Sequence, residues 1–283
     1  MNGVPPLAGT RRGTSVGGAA RSLLFCVTYL TLLLLVMGPI QALVLAPWVH
    51  LRPERAAGVW GAWQRVHSRL ALGLARRLAG VAFRFTGRIP PVACLVVMNH
   101  QSLFDIPIAF TLVDGPTPLI PARDRYLKVP VVGHMLRLAG HPVVTQGRTA
   151  TTADRAGLEA AADRLARGER SLVVFPEGHR SPEGHVRPFM TGALRLAFSR
   201  APQRPVYVAL IEGLADVRTF ADLALRLSGT RAHITVDGPF TVPADPEQHA
   251  AFITDLRNRL LAILADHRGD APAPETVDAG LSA

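Results

Sequence analysis

The chain has 283 residues, 48% of them apolar, with a net charge of +10 carried by arginine, since Lys128 is the only lysine. The length suits one large domain with extensions, and the two cysteines, Cys26 and Cys94, exclude a disulfide framework. The positive charge points to a polyanionic partner, nucleic acid or an anionic membrane surface; no zinc-finger, helix-turn-helix or RNA-recognition pattern is present, and the apolar segment that follows favours the membrane over nucleic acid.

Residues 1–21 are rich in Gly, Pro and Ala and read as a disordered tail. Ser22 to Val49 contains no charged residue and is long enough to cross a bilayer at roughly 20 residues per span. Gly38-Pro39 should kink or break that helix. Arginines on both flanks (Arg11, Arg12, Arg21; Arg52, Arg55) suit a re-entrant helix pair with both ends on one side, with a single tilted span or a cleavable signal peptide as alternatives. Residues 59–83 place Trp60, Trp63, Leu70, Leu74, Leu78 and Val81 on one helical face and Arg65, Arg69 and Arg76 on another. That pattern fits either an interfacial helix or a helix packed on a core. We therefore assign 22–84 to membrane-anchoring and interfacial helices.

After Pro90-Pro91 come short apolar, β-branched runs at 93–99, 171–178, 205–213 and 232–240, with a helical segment at 151–168 between the first two. They predict an α/β fold, a mainly parallel central sheet flanked by helices, over 85–268. Residues 246–267 form a closing amphipathic helix, and 269–283 read as a second disordered tail.

Two stretches carry chemistry, both at strand carboxyl ends, where parallel sheets gather their ligand sites. In "VMNHQSLFDIP", His100 and Asp105 are five residues apart. On a continuous helix that spacing turns the side chains about 140° apart. They meet only if His100 lies in the turn before a helix whose first turn holds Asp105, and "SLFD" supplies such a start. Asp105 then orients the imidazole and leaves its other nitrogen as a base. A bare capping box, or Ser102 as a nucleophile outside any G-x-S-x-G elbow, are the competing readings. In "FPEGHRS", Gly178 allows close backbone approach, Arg180 offers a fork for an anion, and Glu177 can orient a partner. A surface turn with a salt bridge would use the same residues. His179 and His185 lack the spacing of zinc ligands.

Together these stretches resemble the glycerolipid acyltransferase family typified by 1-acyl-glycerol-3-phosphate acyltransferase. Asn99, His100 and Asp105 match N-H-x4-D; Phe175, Pro176, Glu177, Gly178, Arg180 and Ser181 match F-P-E-G-x-R-S. Arg123, Lys128, Pro130 and Gly133 align with an intervening family stretch, Arg123 standing where lysine is usual. The resemblance implies that His100 is the general base and Asp105 its orienter. It implies that Asn99, Arg123, Glu177, Gly178, Arg180, Ser181 and Arg148 serve substrate binding. The implied acyl donor is acyl-CoA or acyl carrier protein, the acceptor a lysophospholipid, and no cofactor or metal takes part. The implied location is the inner membrane, with the catalytic domain on the cytoplasmic side. Two departures remove cations expected near the acceptor phosphate. Gln146 replaces an arginine, with Arg148 nearby as a substitute, and Met190 replaces a lysine. A lyso-ornithine lipid is the alternative acceptor, and a non-catalytic lipid-binding protein the alternative class.

Overall fold

The computed structural model describes residues 15–145, 151–181 and 184–269. Ser15 caps the first helix, its hydroxyl accepting from the Gly18 N–H at 3.1 Å, so α1 (Val16–Leu32) starts within the stretch expected to be a tail. A side-chain acceptor at this position satisfies an otherwise orphaned amide, which sets the start. The rest of both expected tails, 1–14 and 270–283, lies outside the described residues.

From α1 the chain runs through widened π turns at Leu33–Met37 and Ile40–Leu45 into α2 (Ala46–Leu51). The whole of Val16–Leu51 is one 36-residue helix. The expected re-entrant pair is therefore absent. Pro39 removes one donor and crowds the preceding turn, and the π turns on either side absorb both effects without reversing the chain.

Helix α3 (Ala56–Ala79) ends at Gly80, whose φ of 65° makes a left-handed cap. Its buried residues are Trp60, Gly61, Gln64, His67, Ser68, Ala71, Leu72, Ala75 and Ala79, on the side facing α1 and the helix after β2. Leu70, Leu74 and Leu78, assigned to the apolar face from the sequence, are only half-buried. This is the packed alternative: small side chains face inward because close helix approach requires them.

The chain then enters β1 (Ala82–Thr86), β2 (Leu95–Met98), α4 (Asp105–Leu112), β3 (Ala122–Arg123), α5 (Val132–Leu138), β4 (Val143–Val144), α6 (Thr152–Ala166) and β5 (Leu172–Val174). It continues through α7 (Gly192–Arg200), β6 (Val206–Glu212), α8 (Phe220–Arg226), β7 (Arg231–Phe240) and α9 (His249–Arg268). The main sheet has the order β1-β7-β6-β2-β5 and is parallel except between β6 and β7. The expected mainly parallel α/β sheet is thus present. Strand β1 was not anticipated, and it lies across the boundary placed after residue 84.

Side-chain alternation divides the core into two layers. Val96, Met98, Val173, Tyr207, Ala209 and Ile211 face the cluster that includes residues of α1, α3, α4 and α8. Leu95, Val97, Leu172, Val174, Val208 and Leu210 face the cluster containing residues of α6, α7 and α9. Helices α1 and α3 are therefore built into one face of the α/β domain. Arg21 Nε donates to the Leu78 carbonyl at 3.1 Å, and the Ser228 N–H donates to Ser22 Oγ at 2.9 Å.

Gly213 ends β6 at φ 90°, with the Arg231 carbonyl where a Cβ would sit. Gly213→Ala combines a disfavoured backbone with a clash against main chain, so it should lower stability by at least ~2 kcal/mol in denaturant melts. A variant as stable as the parent would refute the role assigned to this turn.

Candidate active site

The parallel register of β2 and β5 builds the site. Val97 pairs with Val174, so His100 and Glu177 each lie three residues beyond the pair. The Glu177 carboxylate accepts from the His100 backbone N–H at 3.0 Å and from the Arg187 N–H at 3.1 Å. The Ser181 N–H donates to the His100 carbonyl at 2.7 Å. The two motifs are thus joined through main chain on both sides of His100.

His100 Nδ1 lies 2.7 Å from Asp105 Oδ2. The pair spans the junction between turn and helix, as the spacing required, with Asp105 the first residue of α4. The same oxygen accepts from the Gln101 and Ser102 backbone N–H groups at 2.6 and 2.8 Å, and Asp105 is fully buried. A carboxylate oxygen facing three donors is an acceptor only, so the imidazole proton stays on Nδ1 and Nε2 is left as the basic nitrogen. Nε2 has no hydrogen-bond partner among the described residues. Phe175 supports the ring from one face, stacked at 4.5 Å.

His100 borders a cleft of about 2020 Å³. Its apolar walls include Leu30 of α1 and Leu33 of the π turn that follows, Leu103 and Ile106 near the start of α4, and Val132 and Met135 of α5. Beside His100 the cleft also meets Arg123, Arg125 and Arg180. Arg123 donates to the Gly178 carbonyl at 2.6 Å. Arg180 donates to the Arg218 carbonyl at 2.9 Å and to the Tyr126 hydroxyl at 3.0 Å, leaving its buried Nε–H unpartnered. Burial alone would raise the Tyr126 phenol; Arg180 and Arg125, both bonded to it, outweigh burial and lower it. Tyr126 was missed in the sequence, where nothing distinguished it from an ordinary turn tyrosine.

The remaining expected substrate contacts divide. Gly178 borders the cleft. Asn99 does not: both ends of its amide bond the Ile211 backbone, at 2.8 and 2.7 Å, extending the pairing of β2 with β6. Glu177 and Ser181 also lie outside the cleft wall, 4% and 2% exposed, and position His100 from behind. Ser102 is fully buried, donates to the Val217 carbonyl and accepts from the Phe104 N–H at 3.2 Å, so it is no free nucleophile. Arg148 and Gln146 lie outside the described residues. Among the described residues, no three His, Cys, Asp or Glu side chains group as metal ligands.

These features define an α/β protein with a histidine–carboxylate pair at the carboxyl edge of a parallel sheet, beside cations and a lipid-sized apolar cleft. Residues 81–211 match the family model described as Acyltransferase. This segment of the chain is thus an acyltransferase-family domain. The chain is similar to a 1-acyl-sn-glycerol-3-phosphate acyltransferase of Cocos nucifera, 28% identical over 58% of this chain and 50% of the relative. It is also similar to the lyso-ornithine lipid O-acyltransferase of Rhizobium meliloti (strain 1021), 31% identical over 67% of this chain and 59% of the relative. The chain thus spans between half and three-fifths of the length of these relatives. Its fold matches the crystal structure of the 1-acyl-sn-glycerophosphate acyltransferase PlsC from Thermotoga maritima, with a TM-score of 0.58 at 19% identity, over 85% of this chain and 96% of that one.

Burial raises the Glu177 carboxyl from 4.5 to about 7, aided by nearby Asp105 and opposed by its two backbone hydrogen bonds and Arg187. Between those values the folded state holds a proton that the unfolded chain has released. Stability should therefore fall as pH rises from about 4.5 to about 7 and level off above. Glu177→Gln should remove this slope. It should also cost about 1–3 kcal/mol, because its amide nitrogen cannot accept from one of the two backbone donors. Denaturant melts across that pH range check both; an unchanged slope in the variant would contradict the assignment.

Proposed function

We propose that this protein transfers an acyl group from a thioester, acyl-CoA or acyl carrier protein, to the free hydroxyl of 1-acyl-glycerol-3-phosphate, giving phosphatidic acid. The observation that carries the reading is the His100–Asp105 pair, its Nε2 unpartnered, at a lipid-sized cleft beside Arg123 and Arg180. Nε2 takes the acceptor hydroxyl proton as its oxygen attacks the thioester carbonyl. The C–O bond forms and the C–S bond breaks. The leaving sulfur receives the proton back from Nε2, which restores the starting tautomer. Asp105 holds the ring throughout and faces the imidazolium as it forms. The reaction needs no cofactor. Arg123, Arg180 and the Tyr126 hydroxyl, which accepts from Arg180 and Arg125, form the anion-binding wall.

The helix Val16–Leu51 supports a membrane location. It is long and apolar enough to cross a bilayer, and its most hydropathic window is only 17% buried by the rest of the protein. At about 1.5 Å per residue it reaches roughly 54 Å, beyond a hydrocarbon core of about 30 Å. In this reading the helix holds the cleft at the bilayer, where acceptor and product reside, with the domain on the cytoplasmic side of the inner membrane.

A second acceptor class has its own support. Met190, 62% exposed at the cleft, stands where the family resemblance implies a lysine. One fewer cation favours an acceptor with a weaker or differently placed anion, such as a lyso-ornithine lipid carboxylate. An acceptor screen with purified protein in nanodiscs and one acyl thioester separates the two by thiol release. His100→Ala should lower turnover by roughly 10²–10⁴-fold with either acceptor. Arg180→Met should raise KM for the acceptor and leave that for the thioester nearly unchanged. Full turnover by folded His100→Ala protein would refute the mechanism.

A further inference from the structure

The cleft wall is mostly apolar, and one of its polar stretches lies away from the arginines and the His100–Asp105 pair. Gln64 and His67 of α3 border the cleft there together with His141, which follows α5. They are 1%, 5% and 6% exposed. Phe110 of α4 stands edge-on to His141 at 5.9 Å. It lies five residues beyond Asp105, a rise of about 7.5 Å along the helix. Through Phe110 the polar patch thus meets α4 roughly one and a half helical turns beyond Asp105.

Both histidines are neutral near pH 7. Burial lowers His67 to about 4, and burial with Arg170 lowers His141 to about 3. The Ile120 backbone N–H donates to His141 Nδ1 at 3.0 Å. A neutral ring that accepts at Nδ1 carries its proton on Nε2. That Nε2–H faces the Gln64 amide. Donor logic therefore turns the Gln64 oxygen toward the ring and its NH2 group away from it. The outer end of this amide has no hydrogen-bond partner among the described residues, and neither does His67 Nε2. Buried polar groups almost always find a partner. Here two of them stand unpaired, with almost no exposed area of their own, on residues that border a cleft sized for a hydrocarbon chain.

We propose that this niche receives an oxygen, hydroxyl or keto, carried part-way along a ligand's hydrocarbon chain. A hydroxyl oxygen can accept from the Gln64 NH2 group, and its proton can go to His67 Nε2. A keto oxygen can accept from both. The protein would then select oxygenated chains over plain ones, at one depth in the cleft. This inference rests on the acyl-transfer reading for the identity of the chain. That chain is either the acyl group of the thioester or the one already on the acceptor.

The test is equilibrium displacement of a fluorescent fatty acid from the full chain in nanodiscs. The competitors are free fatty acids of one length with a single hydroxyl moved along the chain. In an apolar channel a hydroxyl weakens binding wherever it stands, because it loses water and gains nothing. The expected result is one position that binds about 10-fold tighter than the plain chain, equivalent to about 1.4 kcal/mol. In Gln64→Leu/His67→Leu protein the hydroxyl should weaken binding at every position. Wild-type protein that prefers the plain chain throughout, with the niche holding an ordered water only, would overturn the proposal. So would a probe that does not bind. Displacement needs no turnover, so it stands even if acyl transfer fails. Turnover with the hydroxyl placed on the thioester chain or on the acceptor chain then identifies which ligand fills the niche.

Discussion

Everything in the site depends on the pairing of β2 with β5. Parallel strands in register deliver two loops from distant parts of the chain to one edge of the sheet. The Glu177 carboxylate then clamps them by accepting from main chain on both sides. A carboxylate buried without an arginine bonded to it is costly. This one is tolerated because two backbone donors that would otherwise be unsatisfied need it. The same economy recurs at Asn99, where one amide side chain serves as an extra rung between β2 and β6. His100 hangs between these two fixed supports, so its ring direction follows from backbone geometry. Asp105 completes that control, since one of its oxygens takes two backbone N–H groups as well as the ring.

The long N-terminal helix is tied to this frame by polar contacts in an otherwise apolar segment. Gln41, fully buried, donates to the Val131 carbonyl at 3.1 Å, contacts His134 Nδ1 at 3.2 Å and accepts from Trp63 Nε1 at 3.1 Å. Val131 sits at φ 63°, a conformation that branched residues avoid. Surrounding structure must hold such a residue in place. Gly38 contributes by leaving room: a Cβ there would come within 2.9 Å of the Val131 side chain. The Gly-Pro step thus has two separate consequences. Pro39 imposes the widened turns, and Gly38 lets the helix close on the loop before α5.

How much of this was legible follows from where each signal resides. Periodicity marked β2, β5, β6 and β7 because buried parallel strands are continuous apolar runs. It missed β1, whose "AFRFT" continues a helical pattern and gains its strand character only from pairing with β7. The His100–Asp105 relation was readable because five-residue spacing admits only one geometry. The roles of Asn99, Glu177 and Ser181 were not, because a motif names residue types and is silent on which side of the backbone each side chain falls. All three proved to support the site from behind the cleft wall. The apolar face of α3 was misjudged for a related reason. Large residues dominate a hydropathy pattern, whereas the buried face of α3 mixes Trp60 and Leu72 with Ala71, Ala75 and Ala79, and leaves Leu74 and Leu78 at its margin.

The cationic wall that the proposed function uses shows why acceptor identity is harder to read than the chemistry. The base needs one distance and one tautomer, and both are set by main chain. The arginines are set by one another's surroundings: Arg123 by the Gly178 carbonyl, Arg180 by the Arg218 carbonyl and the Tyr126 hydroxyl. Carbonyl and phenol partners fix each guanidinium without neutralising it, so the full charge remains for a ligand. Met190 adds bulk at the same wall, its sulfur lying where a Cβ on Gly178 would point. A lysine there would have added a further cation on a flexible stem; a thioether adds none. What the wall offers instead is arginines held by fixed partners, and fixed forks discriminate among anions by geometry more than by charge. In the proposed reading, selectivity for a phosphate or a carboxylate headgroup would lie in how Arg123 and Arg180 are held on either side of Gly178.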